Sequence, residues 1–221
     1  MTTAPVQAGA KAAGGALAGT LGAVALLTRR KPLHAKGRTH HAFLRVDSPV
    51  VGSGVRLLSE RAQHQCIVRL SRALSTPDGW WDIGGFALRI ERAGAGGGPA
   101  DLLFASTGVG RVGRHVLRVT RHPMDEPMTT LLPVCAGASS LLLLVRPLAG
   151  RAEEVFELSV ALDGADWSPV GIIEVGVEMA GASPRFDPLV RRLDGTSPPS
   201  WVTALREPAY RLARRLGRRT H

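Results

Sequence analysis

Apolar positions in this chain recur mostly at a spacing of two, in short runs separated by Gly- and Pro-rich breaks. In residues 155–162 (VFELSVAL), Phe156, Leu158, Val160 and Leu162 fall on one face, the signature of a half-buried strand. Asp163 and Gly164 then mark a turn, and residues 170–175 (VGIIEV) supply a partner strand. Comparable runs occupy residues 41–47 (HAFLRVD), 66–74 (CIVRLSRAL), 85–91 (GFALRIE), 101–107 (DLLFAST) and 140–145 (SLLLLV). The segments DSPVVGSG, STPDG and GAGGGPA break them. Helical spacing is confined to the two ends, where Leu205, Leu212 and Leu216 share a face after the PPSW breaker. The pattern predicts an α+β protein: an antiparallel sheet or barrel with helical segments at both ends.

Composition supports one domain. The 221 residues are 44% apolar and 21% charged, ordinary values for a folded soluble protein. Residues 12–27 (AAGGALAGTLGAVALL) are uncharged and flanked by Lys11 and by Arg29, Arg30 and Lys31. A spanning helix needs about 20 apolar residues, and this run is shorter and Gly-rich. It also lacks the basic region that precedes the apolar stretch of a signal peptide. We expect residues 1–30 to form a loosely packed helical arm in a cytoplasmic protein, with peripheral membrane association through that arm as the alternative. Residues 31–221 would form the barrel domain and a basic C-terminal helix.

The net charge is +10, carried largely by arginine. It suits an anionic surface or an anionic ligand, and no specific nucleic-acid motif accompanies it. Cys66 and Cys135 lie far apart without metal-type spacing, which suggests two reduced thiols. Aromatic residues are 5% of the chain, and Tyr210 is the one tyrosine in it, so any role for a phenolate has one candidate.

Familiar catalytic signatures fail on inspection. Gly108, Gly110 and Gly113 form a G-x-G-x-x-G after a strand-like run. The residues that follow, RHVLRVTRHP, are too short and basic for the helix a dinucleotide site requires. H-E-x-x-H and G-x-S-x-G are absent, and His40 and His41 are adjacent, so on a strand they would point to opposite faces.

Three segments, in order, resemble the haem-dependent catalase family. Lys31-Pro32-Leu33-His34-Ala35-Lys36-Gly37 is similar to the family's segment around its distal histidine. Val68-Arg69-Leu70-Ser71 resembles Val-Arg-Phe-Ser. Residues 82–90 (DIGGFALRI) and 101–107 (DLLFAST) resemble Asp-Pro-Arg-Gly-Phe-Ala-Val-Lys-Phe and Asp-Leu-Val-Gly-Asn-Asn-Thr.

The resemblance implies a catalase-like β-barrel and haem as cofactor. His34 would be the distal base, an imidazole titrating near neutrality, with Ser71 fixing its tautomer. Arg69 would face a haem propionate, and Lys31 would stand where the family has a second arginine, keeping charge without the planar fork. The family's distal asparagine falls at Ala105 or Ser106, leaving Ser106 as the hydroxyl that could donate to peroxide. Tyr210, preceded by Arg206 and followed by Arg214 at helical spacing, would be the iron ligand, its phenolate favoured by both cations. The family's Asp-Thr pair after the tyrosine is missing, and Pro208 sits within the segment. The chain is also well under half the length of a complete catalase. The expected function is haem binding with peroxidase-like chemistry on peroxide or a small organic substrate. One alternative is a non-catalytic barrel that binds an anionic ligand, lipid surface or partner. The other is a phosphodiesterase-type hydrolase.

Overall fold

The computed structural model describes residues 37–77, 79–148 and 154–197. The predicted runs become strands β1 (Gly37–Val46), β2 (Ala62–Arg72), β3 (Gly84–Ile90), β4 (Ala100–Ser106), β7 (Ser139–Pro147), β8 (Val155–Leu162) and β9 (Ser168–Glu178). Three short strands join them: β5 (Met128–Thr129), β6 (Val134–Ala136) and β10 (Thr196–Ser197). Neighbours are antiparallel throughout, in the order β10-β6-β7-β5-β4-β3-β2-β1-β9-β8. A further pairing of β7 with β8 closes eight of these strands into a barrel, while β6 and β10 extend the sheet beyond it.

Among the described residues, α-helix is limited to the single turn Arg56–Ser59, with two short 3-10 turns at Ala95–Gly97 and Gly113–His115. This part of the chain is therefore all-β, not α+β. Apolar spacing of two runs through it, and Gly or Pro interrupts the chain before a helix could bury a face. The expected helical ends, residues 1–30 and the basic C-terminal segment, lie outside the described residues. The G-x-G-x-x-G segment is a loop in which Gly108 and Gly113 pack against each other, so it serves a tight chain crossing.

Alternation sorts each strand into an inner and an outer set. Leu44 on β1, Val68 on β2, Leu88 on β3, Leu143 on β7, Leu158 on β8 and Ile173 on β9 are almost fully buried inside the barrel. Strand β7 departs from alternation because Leu142 and Leu144, on its other face, are buried as well. That explains why SLLLLV is uninterrupted in the sequence. The close approach of β9 to β1 depends on Gly171, beside a register shift in the β8–β9 ladder: a Cβ there would collide with the Arg45 carbonyl oxygen. Cys66 and Cys135 are free, and burial pushes the Cys66 thiol up to about 12.

His64 on β2 should give the barrel a pH dependence. Its Nε2 is buried without a hydrogen-bond partner among the described residues. Burial lowers its pKa first, Glu60 partly offsets this, and Arg56 adds to the lowering. The folded state thus favours neutral imidazole, and the unfolded chain binds the extra proton as pH falls below about 6.5. Stability from this site should be complete above that value and decline as pH drops through it toward the lower folded pKa. Urea unfolding at neutral and mildly acid pH should show a larger loss for wild type than for His64→Gln; equal losses would remove His64 as the cause.

Candidate functional site

Period-two alternation places Arg69 and Ser71 together, because Leu70 between them faces the core. The same rule puts Gly85 and Ala87 of β3 outside, on either side of buried Phe86, and Leu103 and Ala105 of β4 outside, on either side of Phe104. Register then aligns these residues across the outer sheet. Gly37, Ser71, Gly85 and Ala105 form one row, and Thr39, Arg69, Ala87 and Leu103 form the next. Segments far apart in the sequence thereby share one face with small side chains along its middle.

The face is held closely. A Cβ at Gly37 would lie 2.8 Å from the Leu70 carbonyl oxygen, 2.9 Å from Ser71 Cβ and 3.0 Å from Arg69 Cζ. Only glycine lets the start of β1 rest against Ser71 and the Arg69 guanidinium. Ser71 is buried, and its hydroxyl donates to the Gly85 carbonyl at 3.3 Å. Burial lowers the Arg69 pKa, though a guanidinium stays charged at any ordinary pH.

Residues 179–191 return across the sheet one row further along. Met179 N–H donates to the Thr39 carbonyl at 2.7 Å, and Thr39 Oγ1 donates to Ser183 Oγ at 2.9 Å. Arg89 then acts as the anchor: its Nε and Nη2 donate to the two Asp101 oxygens at 2.7 and 2.9 Å, and Nη2 also donates to the Arg185 carbonyl at 2.7 Å. The hydrogen bond to Asp101 is the main reason that the Arg89 pKa is raised. Asp101 also accepts from Asp187 N–H at 2.7 Å, and Phe186 stacks against the guanidinium at 5.2 Å. This strap bounds the face on one side. No local pattern in the chain marks this strap, because Asp101 and Asp187 are 86 positions apart.

Of the residues expected at a haem site, Arg69 and Ser71 lie together on this face. Ser106 does not. Its position on β4 turns it away from Ala105, it is fully buried, and its hydroxyl accepts from Gly84 N–H and donates to the Arg118 carbonyl, both at 2.9 Å. It is a structural serine, and of the two positions matched to the family's asparagine, Ala105 is the one on the outer face. Lys31, His34, Arg206, Tyr210 and Arg214 lie outside the described residues.

The barrel, with this outer face on its first four strands, has a catalase-like fold. Solved structures similar to it include catalase A from Saccharomyces cerevisiae, at a TM-score of 0.56 and 9% identity over 83% of this chain and 60% of that one. A fungal catalase gives a TM-score of 0.55 at 9% identity, covering 81% of this chain and 58% of that one. The chain thus spans about three-fifths of the length of these catalases, more than the under-half share expected from the sequence. No family model matches the sequence, and no curated protein does.

Proposed function

We propose that the outer face of β1–β4 is the distal wall of a haem site, and that the protein is a peroxide-dependent oxidoreductase closer to a peroxidase than to a catalase. One observation carries this reading: register brings Arg69, Ser71 and Ala105 onto one face, in the order the catalase resemblance requires. The residues fit such a group. Gly85, Ala87 and Ala105 leave a low surface for a planar ring system, and Arg69 offers a guanidinium to a carboxylate. When bound, haem would supply the iron-centred redox chemistry that activates peroxide.

The chain's own residues would do the rest. His34 precedes Gly37, the position that abuts Ser71, by three residues. Its imidazole would take a proton from peroxide and return it to the leaving oxygen, while Ser71 holds the other ring nitrogen. Lys31 would add charge toward a second propionate. Tyr210 would be the iron ligand, with Arg206 and Arg214 favouring its phenolate. At Ala105 no amide is available to polarise the peroxide, which points to slow turnover and to an organic reductant as the second substrate.

Protein expressed with haem supply should show a Soret band. His34→Ala should perturb it and lower peroxide consumption by a factor on the order of 100. Tyr210→Phe should shift the band strongly, and Ala105→Asn should raise turnover. Absence of haem uptake would overturn the reading. Haem bound without peroxide consumption in any variant would favour the non-catalytic alternative, which the lost amide also supports.

A further inference from the structure

We propose that the barrel end formed by the β2–β3 turn docks onto an anionic phospholipid bilayer, with Trp80 and Trp81 as its inserting side chains. Both indoles are exposed, at 65% and 55%, and Leu74 at the start of the same turn is 54% exposed. Large apolar side chains grouped in this way usually mark an interaction surface.

The turn that presents them is built rigidly. The fully buried Asp82 carboxylate accepts from Leu74 N–H at 2.8 Å, Thr76 N–H at 3.1 Å, Thr76 Oγ1 at 2.9 Å and Ile83 N–H at 2.7 Å. Burial opposes its charge, but these hydrogen bonds outweigh burial and hold Asp82 below its ordinary range. Arg72 Nη2 donates to Thr76 Oγ1 and to the Pro77 and Trp80 carbonyls at 3.2–3.3 Å. Such a framework fixes the backbone while leaving the indoles outside. Preorganised aromatic groups at the tip of a fixed turn lose little entropy when they insert.

Charge decides the kind of surface. A bridge between Asp82 and Thr120 brings the next segment alongside, and the Arg121 guanidinium lies 5.6 Å from the Trp81 ring centroid. Val119, two residues before Arg121, is 44% exposed. The chain enters the barrel at this same end, because Gly37 pairs with Ser71 just before the turn begins. Seven Lys or Arg residues and no acidic residue precede Asp47, and five of the seven lie within residues 29–38. Nearby acids are fewer: Asp82 is buried, Glu126 is paired with Arg118 at 2.8 Å, and Asp78 and Asp125 remain.

Indoles prefer the boundary between headgroups and acyl chains, and cations beside them meet lipid phosphates. Apolar insertion and basic charge together give the two signals that stable peripheral binding needs. This inference does not depend on haem.

The test is co-sedimentation of the full chain with phosphatidylcholine vesicles, with and without phosphatidylglycerol, followed by indole quenching with brominated acyl chains. Wild type should bind the anionic vesicles, with blue-shifted and quenched emission. The exposed double variant Trp80→Ser/Trp81→Ser should keep its circular dichroism and lose partitioning by about tenfold or more. Arg121→Glu should weaken binding to anionic vesicles alone. The proposal is overturned if the double variant partitions like wild type, since binding would then come from elsewhere in the chain. It is also overturned if wild type ignores anionic vesicles, which would assign the indoles to a protein partner or to another segment of this chain.

Discussion

Phe86→Ala should cost about 3–5 kcal/mol, the largest loss expected from a single apolar truncation in this barrel. Phe86 is 1% exposed, and its ring meets Phe104 edge-on, with centroids 5.8 Å apart and an interplanar angle of 87°. It also meets Phe156 at 4.8 Å and 64°. Phe104 is its partner across the β3–β4 ladder, whereas Phe156 comes from β8, which has no ladder to β3. The ring therefore joins two parts of the closed sheet through the interior. Alanine would remove this contact and leave a cavity that a closed barrel relaxes into poorly. Domains of this kind have about 5–15 kcal/mol in total, so the loss is a large share. Urea unfolding should show a strongly lowered midpoint, with Phe86→Leu much milder. A midpoint within error of wild type would show that the aromatic cluster does not hold the barrel. Gly85 and Ala87 flank Phe86 on the same strand, so the proposed haem wall should loosen with it.

Asp101→Ala should have a comparable effect by a different route. The carboxylate is 1% exposed and neutralises Arg89, whose side chain is only 11% exposed, with Arg191 nearby at 3.7 Å. Removing one partner of a buried ion pair leaves the other desolvated, which costs about 3–5 kcal/mol. Here it also releases the Asp187 N–H and the anchor under the Arg185 carbonyl. Hydrogen exchange over residues 183–191 should accelerate, together with the drop in unfolding midpoint. The double replacement Arg89→Met/Asp101→Leu should recover much of the stability, because no unpaired charge remains. If Asp101→Ala left exchange in that segment unchanged, the strap would be held by other contacts.

The two variants also separate what could be read in advance from what could not. Local alternation revealed most strands and the shared face of Arg69 and Ser71, because a residue's side of a sheet depends only on its neighbours. The commitment of Ser106 to backbone groups was not legible, because its partners Gly84 and Arg118 lie 22 and 12 positions away and meet it only in the folded sheet. Short strands such as β5 carry too few residues for any period to show. The exposure of Trp80 and Trp81 was not legible either, because it depends on the turn that the buried Asp82 carboxylate holds together.

Taken alone, the order of residues established short antiparallel strands, their inward sides and a distal-pocket resemblance running from Lys31 to Thr107. These follow from side-chain alternation and from which turns the backbone permits. Closure of β7 on β8, the strap pinned by Asp101, the commitment of Ser106 to backbone groups and the exposed tryptophan turn came from the three-dimensional arrangement. Each depends on groups that meet across many intervening residues, and the free energy of such meetings is set by packing and desolvation in the assembled barrel.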